Sequence, residues 1–260
     1  QYDQQTNQVQ CVLLPKDRVI FGTNGPDSHL FGLEPNFGCC TANFNQGWPK
    51  FALSTFLRSE KGIVSAALAP ATVRTVIDGH AVSCSLETEY PFRNTLHYQV
   101  ATDGPVAFEF KLRIPGCAKS ATVNGESVAP GSFYALEQTW SGVMDIEVAL
   151  DFACETVARP REMQVLWRGP LLYSVAIDER WEKLEYTRDG VERVFPYCDY
   201  ELYPESPWNY GFTADKHFDV KENAVSETPF STQQPPMEIT AEREKNSNTT
   251  MISTSSTLPW

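Results

Sequence analysis

Two adjacent cysteines, Cys39 and Cys40, are the residues best suited to chemistry in this chain. They lie in the stretch Gly32-Leu33-Glu34-Pro35-Asn36-Phe37-Gly38-Cys39-Cys40-Thr41-Ala42-Asn43. Neighbouring cysteines do not readily bond to each other, because the intervening peptide prefers trans and disulfide geometry is demanding. Each thiol therefore calls for a distant disulfide partner, a metal, burial or a reaction. A thiolate is both a strong nucleophile and a strong zinc ligand. Cysteine is also among the most buried residue types, so a packing role stands beside the chemical one.

Other residues near the pair offer less. Glu34 precedes Cys39 by five positions, but its Glu-Pro context reads as loop-shaping, and no catalytic role is assigned to it. Cys11 has no spacing that recommends it as a ligand. Of the four histidines, His29, His80, His97 and His217, only His29 is near the pair. No glycine-rich phosphate loop, His-Glu-x-x-His or Gly-x-Ser-x-Gly motif occurs.

Composition narrows the partners. The formal charge of −12 and pI of about 4.8 argue against nucleic acid, which needs a basic surface. They argue equally against an anionic membrane. No apolar run reaches the length of a bilayer span. The seven cysteines are odd in number and lack a repeated short spacing, so they do not resemble a disulfide scaffold. The chain opens at Gln1 without an apolar leader, as expected of a processed or partial chain. One sequon is present, Asn248-Thr249-Thr250.

The elements that must position the cysteines fall into three textures. Residues 1–11 are rich in amides, which suit sugar hydroxyls or a solvated helix end. Residues 12–38 show turn chemistry, as in Gly22-Thr23-Asn24-Gly25-Pro26-Asp27, and read as a long loop into Cys39. Thr41 or Asn43 is a candidate cap for a short helix. A second helix is expected from Pro49 to about Arg58, with Trp48, Phe51, Ala52, Thr55 and Phe56 on its core face.

From Ile63 the period changes to two. Val106, Phe108, Phe110, Leu112 and Ile114 alternate with smaller or charged residues, and Met144, Ile146, Val148, Leu150 and Phe152 do the same. Further strands are expected at Thr72–Ile77, Val82–Thr88, Leu96–Ala101, Ala121–Val123, Phe133–Leu136, Gln164–Trp167 and Leu171–Ala176. Asp78-Gly79, Asp103-Gly104-Pro105, Asn124-Gly125, Pro130-Gly131 and Ser141-Gly142 supply the turns. Many short strands at this spacing predict an antiparallel sandwich or barrel.

Residues 179–211 are charged and aromatic, and fit an irregular strap packed on the sandwich or a sugar-stacking platform. Residues 241–260 show no period and are expected to be poorly ordered or the start of a truncated domain.

The flanks of the cysteine pair carry a resemblance. Tyr-Asp-Gln-Gln-Thr-Asn-Gln at 2–8, Thr-Asn-Gly-Pro at 23–26, Phe-Gly-Leu-Glu-Pro-Asn-Phe-Gly-Cys-Cys-Thr-Ala-Asn at 31–43 and Gln-Gly-Trp-Pro-Lys-Phe at 46–51 resemble glycoside hydrolase family 127 and the related family 146. Thr88–Phe92, Leu112–Pro115, Val123–Gly125, Arg168–Leu171 and Ser206–Tyr210 extend it. It covers most of residues 1–212 and weakens beyond about residue 225.

The resemblance implies a mainly β fold: an antiparallel β-sandwich preceded by a short α-helical remnant of an α/α barrel. Residues 1–58 would end the barrel, residues 63–178 would form the middle sandwich, and residues 179–260 the strap and the start of a C-terminal β domain. It implies a retaining glycosidase that releases L-arabinofuranose from an arabinose-containing glycan. Cys39 would be the nucleophile and a zinc ligand, and Cys40 a second ligand. The acid–base glutamate and the remaining ligands would lie upstream, so the isolated chain is expected to be inactive. The rival reading is a non-catalytic carbohydrate-binding or structural β module whose cysteines are simply buried.

Overall fold

The structure is a computed structural model, and it describes residues 31–32, 46–159, 164–207, 210–227, 229–230 and 234–245. The amide-rich start, Cys11, His29, Glu34, Cys39, Cys40, Thr41, Asn43 and residues 246–260 lie outside the described residues.

In chain order the elements begin with β1 (Phe31–Gly32), α1 (Gly47–Leu53), β2 (Phe56–Arg58), β3 (Gly62–Ser65), β4 (Ala71–Ile77) and β5 (His80–Thr88). Then follow β6 (Thr95–Ile114), β7 (Ser120–Val123), β8 (Glu126–Val128) and β9 (Ser132–Asp151). The C-terminal part holds β10 (Cys154–Ala158), β11 (Gln164–Arg168), β12 (Leu171–Tyr173), β13 (Glu179–Leu184), β14 (Tyr186–Arg188), β15 (Val191–Arg193) and β16 (Asp199–Pro204). It continues with β17 (Tyr210–Phe212), β18 (Phe218–Glu222), β19 (Met237–Ala241) and β20 (Arg243–Lys245). The described chain is therefore mainly β with one short helix, and no described helix is long and apolar enough to cross a membrane.

The expected pairs of short strands around residues 95–114 and 132–151 are each one strand of 20 residues. β6 and β9 pair antiparallel along their whole length, with a register shift between Thr102 and Val106. The turn signals Asp103-Gly104-Pro105 and Ser141-Gly142 face each other at that shift. They bend both strands without reversing either. Pro105 sits where the ladder is interrupted and no N–H is needed.

The bend makes a two-layer sandwich from one ladder. The first half of β6 pairs with β5, which pairs with β4. The second half pairs in parallel with β3, which carries β2. Tyr98 and Phe110 lie twelve residues apart on one strand, which would separate them by about 40 Å if it were straight. Their ring centroids are 5.7 Å apart. Tyr98 OH also shares a buried 2.9 Å hydrogen bond with Ser65 Oγ on β3. The halves therefore pack face to face.

The core follows from alternation. Leu96, Tyr98, Val100, Val106, Phe108, Phe110, Leu112 and Ile114 of β6 are buried, and Trp140, Ile146, Val148 and Leu150 of β9 meet them. Trp140 is fully buried, stacks on Phe108 at 5.4 Å and donates from Nε1 to the Phe108 carbonyl. Asn124 and Gly125 both have positive φ in the two-residue turn between β7 and β8, as the Asn-Gly signal predicts.

Three expectations change. The helix ends at Leu53, not near Arg58: Ser54 caps it, the Thr55 carbonyl accepts from Ala66 N, and Phe56–Arg58 pair with β3. Thr55 and Phe56 are buried as expected, but Trp48 is 69 % exposed and no helix residue is buried. The strap at 179–211 is not irregular. It forms the β1–β16–β13 sheet and the β14–β15 hairpin. Within 241–260, β20 is ordered and pairs with β17.

Arg93 fastens the C-terminal β18–β19 hairpin to the sandwich. Its guanidinium donates to the Asn223 carbonyl and to Phe92 O, and lies 3.6 Å from Glu222 and 3.7 Å from Glu89. Phe92 packs edge-on against Phe230 at 5.3 Å beside it.

Gly62 marks the tightest point of the parallel pairing. A Cβ there would stand 2.1 Å from the Glu109 carbonyl oxygen. Gly62→Ala is expected to destabilise the sandwich by about 2 kcal/mol or more, because backbone must move to admit the methyl. Urea unfolding of the variant against the parent measures this, and equal midpoints would refute the steric account.

Candidate functional site

In the sequence, described residues flank the segment that carries Cys39 and Cys40 on both sides. On one side, Phe31 pairs with Tyr200 and Gly32 with Asp199. On the other, Gln46 leads into α1. Gly32 precedes Cys39 by seven positions.

β16 holds Gly32 because it is itself held on both sides. Its other edge pairs with β13, and Leu184 stands opposite Asp199. Asp199 and Arg193 are both buried, at 4 % exposure each. Arg193 Nη1 lies 3.5 Å from Asp199 Oδ2, which also accepts from the Tyr186 hydroxyl. The Arg193 guanidinium lies over the Tyr186 ring, 5.5 Å from its centroid. A buried charge needs this kind of pairing and hydrogen bonding.

Within the strap, Trp181, Tyr200 and Tyr203 are engaged by neighbouring side chains, while Phe195 and Tyr197 are exposed. Trp181 meets Tyr200 edge-on at 5.7 Å and donates from Nε1 to Glu179. Arg180 covers the Tyr203 ring at 4.7 Å. The Tyr203 hydroxyl donates to Glu201 at 2.5 Å, and this bond holds its pKa above the usual tyrosine value. An aromatic face already covered by a guanidinium is not open to a sugar ring. Trp208 lies outside the described residues.

A polar groove of about 360 Å³ runs over the outer face of β5, β6 and β9 beside the Asn124 turn. Ser85, Glu87, His97, Gln99, Asp145 and Glu147 line it. Gln99 Nε2 donates to Asp145, Asn124 Oδ1 accepts from the Glu147 amide, and His97 lies 3.9 Å from Glu147. Sequence reasoning missed this groove, although the polar half of the alternation on three strands was its signal.

The four described cysteines are free. Cys84 and Cys198 are buried, and burial pushes the Cys84 thiol up to about 12. Burial also raises Cys154, with Arg168 opposing, since the two residues face each other across β10 and β11. Cys117 is exposed. Reactive cysteines need an exposed, electropositive setting that favours the thiolate. Neither Cys84 nor Cys154 has one. Among the described residues no three His, Cys, Asp or Glu side chains gather in a way that could hold a metal. The described histidines each face one carboxylate: His80 faces Asp103 at 3.0 Å and His217 faces Asp219 at 3.1 Å.

Comparison with known proteins adds a family. Residues 63–152 match the family model for the "Beta-L-arabinofuranosidase, GH127 middle domain". The chain resembles the GH127 family. The GH127-like segment is the bent-ladder sandwich just described, and it begins 23 residues after Cys40. A solved GH127 beta-L-arabinofuranosidase from Geobacillus stearothermophilus T6 overlays with a TM-score of 0.52 at 18 % identity, over 80 % of this chain and 34 % of that one. A second solved structure, a glycoside hydrolase, overlays with a TM-score of 0.51 at 17 % identity, over 75 % of this chain and 40 % of that one. The chain thus spans between a third and two fifths of the length of these structures. A search of curated proteins found no match.

The thiol environments make a direct prediction. Under native conditions iodoacetamide is expected to modify Cys117 first, with Cys154 slower and Cys84 and Cys198 protected until the chain unfolds. Peptide mass spectrometry over a time course reads the order. Early labelling of Cys84 would contradict the packing of the core.

Proposed function

We propose that this chain is part of a retaining glycoside hydrolase that releases L-arabinofuranose, with Cys39 as nucleophile. The observation that carries the reading is the GH127 middle-domain match at 63–152, joined to a Cys39-Cys40 pair whose flanks resemble the same family. The Geobacillus structure is described as a beta-L-arabinofuranosidase, and an arabinose-containing glycan is the substrate class it suggests for this chain.

The chemistry suits a thiolate. Cys39 Sγ attacks the anomeric carbon, the bond to the leaving oxygen breaks, and a glycosyl-cysteine forms. A second group must protonate the leaving oxygen and later activate water for hydrolysis with retention. In this reading, as the resemblance implies, that group is a glutamate before the cysteine pair.

Zinc is proposed on the same grounds. The donor set of this chain fits in part: two adjacent thiols supply soft ligands, and a stable site needs three or four protein ligands. Cys39 and Cys40 would hold the ion, which, when bound, keeps a coordinating thiol deprotonated at neutral pH.

The test uses the longest natural chain that contains these residues, assayed on an aryl β-L-arabinofuranoside. Cys39→Ser is expected to lower turnover at least about a thousandfold, the scale seen when a covalent nucleophile is removed. Cys40→Ser is expected to lower bound zinc, read by metal analysis. Undiminished turnover in Cys39→Ser would sink the nucleophile assignment. An inactive parent chain that still binds arabinan would favour a carbohydrate-binding module instead.

A further inference from the structure

We infer that Arg168 and Tyr173, on the sheet β10–β11–β12, form a binding site for a small carboxylate. The inference stands apart from the hydrolase reading and does not involve the cysteine pair.

The register places the site. Cys154 and Leu171 stand opposite Arg168, and Thr156 and Tyr173 stand opposite Leu166. Opposite residues, and every second residue along a strand, share one face of a sheet. Cys154, Thr156, Arg168 and Tyr173 therefore project from the same face. Cys154, Leu171 and Tyr173 are only half-buried, so this face is within reach of a small molecule.

Arg168 is the unusual member. It is 7 % exposed, yet its Nη1 has no hydrogen-bond partner, and among the described residues no carboxylate pairs with it. The Tyr173 hydroxyl is also enclosed without a hydrogen-bond partner. The two groups act on each other: burial raises the Tyr173 pKa, and the Arg168 guanidinium opposes the rise. Glu222 acts on Tyr173 as well, but its carboxylate lies 3.6 Å from Arg93. A guanidinium cannot escape burial by losing its proton. Buried charges are paired as a rule, as Arg193 is with Asp199. Arg168 has the burial without the anion.

The motif around Arg168 keeps it in place. The Phe152 ring lies 6.0 Å from its guanidinium carbon. Gly169 admits that ring: its φ is 55°, and a Cβ there would stand 2.7 Å from Phe152. A ring attracts a cation but offers no lone pair to its in-plane N–H donors, so those donors stay unsatisfied.

Charge and shape choose the ligand. A planar guanidinium and a hydroxyl on one face suit the two oxygens of a carboxylate. One cation without a counter-charge, with Glu222 acting on the same tyrosine, favours a monoanion over a dianion. Lys216 donates to Thr156 Oγ1 at 2.8 Å and adds positive potential on that face of a chain whose formal charge is −12.

The test uses acetate as the probe, sodium chloride at matched ionic strength as the reference, and the longest natural chain that contains these residues. Acetate is expected to raise the thermal midpoint progressively above the chloride reference, because a ligand that binds only the folded state stabilises it. Arg168 lowers the Cys154 pKa against the larger effect of burial. An anion on Arg168 cancels that help, so saturating acetate is expected to slow iodoacetamide labelling of Cys154 about threefold relative to Cys117. Tyr173→Phe removes one donor and is expected to raise the half-saturating acetate concentration about tenfold. Arg168→Met keeps an apolar stem, removes the charge and is expected to abolish the acetate effect. Should Arg168→Met lose the sheet, Tyr173→Phe decides the question. Acetate indistinguishable from chloride, or an acetate effect unchanged in Tyr173→Phe, would overturn the inference. Half-saturation by phosphate at a lower concentration than acetate would overturn the choice of a carboxylate.

Discussion

The fold depends on one constraint: β6 and β9 must bend together and stay paired. The ladder runs from Thr95–Ala149 to Thr102–Gly142, then resumes at Val106–Trp140 and continues to Ile114–Ser132. Three residues of β6, Asp103 to Pro105, face the single residue Ser141. The difference is two, an even number. Because side chains alternate with period two, an even insertion keeps the same parity pointing inward on both sides of the bend. A one-residue bulge would turn every core residue of the second half outward. Leu96, Tyr98, Val100, Phe108, Phe110 and Leu112 are all even-numbered and all buried. Trp140, at the inside of the bend, fills the space the corner opens and satisfies its own N–H on Phe108.

This explains what was legible in the sequence and what was not. Alternation is a local property, so the buried faces of both strands were readable from residues 106–114 and 144–152. Asn124-Gly125 was readable too, since two positive φ angles suit those residues. The continuity of the strands was not. Asp-Gly-Pro and Ser-Gly carry turn chemistry whether the chain reverses or only bends, and the partner across the ladder decides which. The end of α1 was lost for a similar reason. Phe56 and Arg58 fit a helical spacing, but they pair with Ser65 and Ile63, and pairing overrides local preference. The strap looked irregular because its strands are short and their partners distant: β16 pairs with β13 and, across most of the chain, with β1.

The candidate site divides along the same line. Cys39 and Cys40 stand out by residue type and flanking motif alone. Asp199 does not, because its burial and its pairing with Gly32 depend on a register between residues far apart in the sequence. The polar groove over β5, β6 and β9 was hidden because exposed polar residues on a strand read first as solvated surface. Only the lateral order of three strands shows that they share one face.

The distribution of thiols then has a physical logic. Within the sandwich, Cys84 is fully buried and its thiol is pushed up to about 12, so it packs as a small hydrophobe. A densely packed two-layer core excludes water, and water exclusion without a positive partner disfavours a thiolate. The buried thiols of the sandwich are therefore packing residues, and a cysteine that reacts as a thiolate is not to be sought among them.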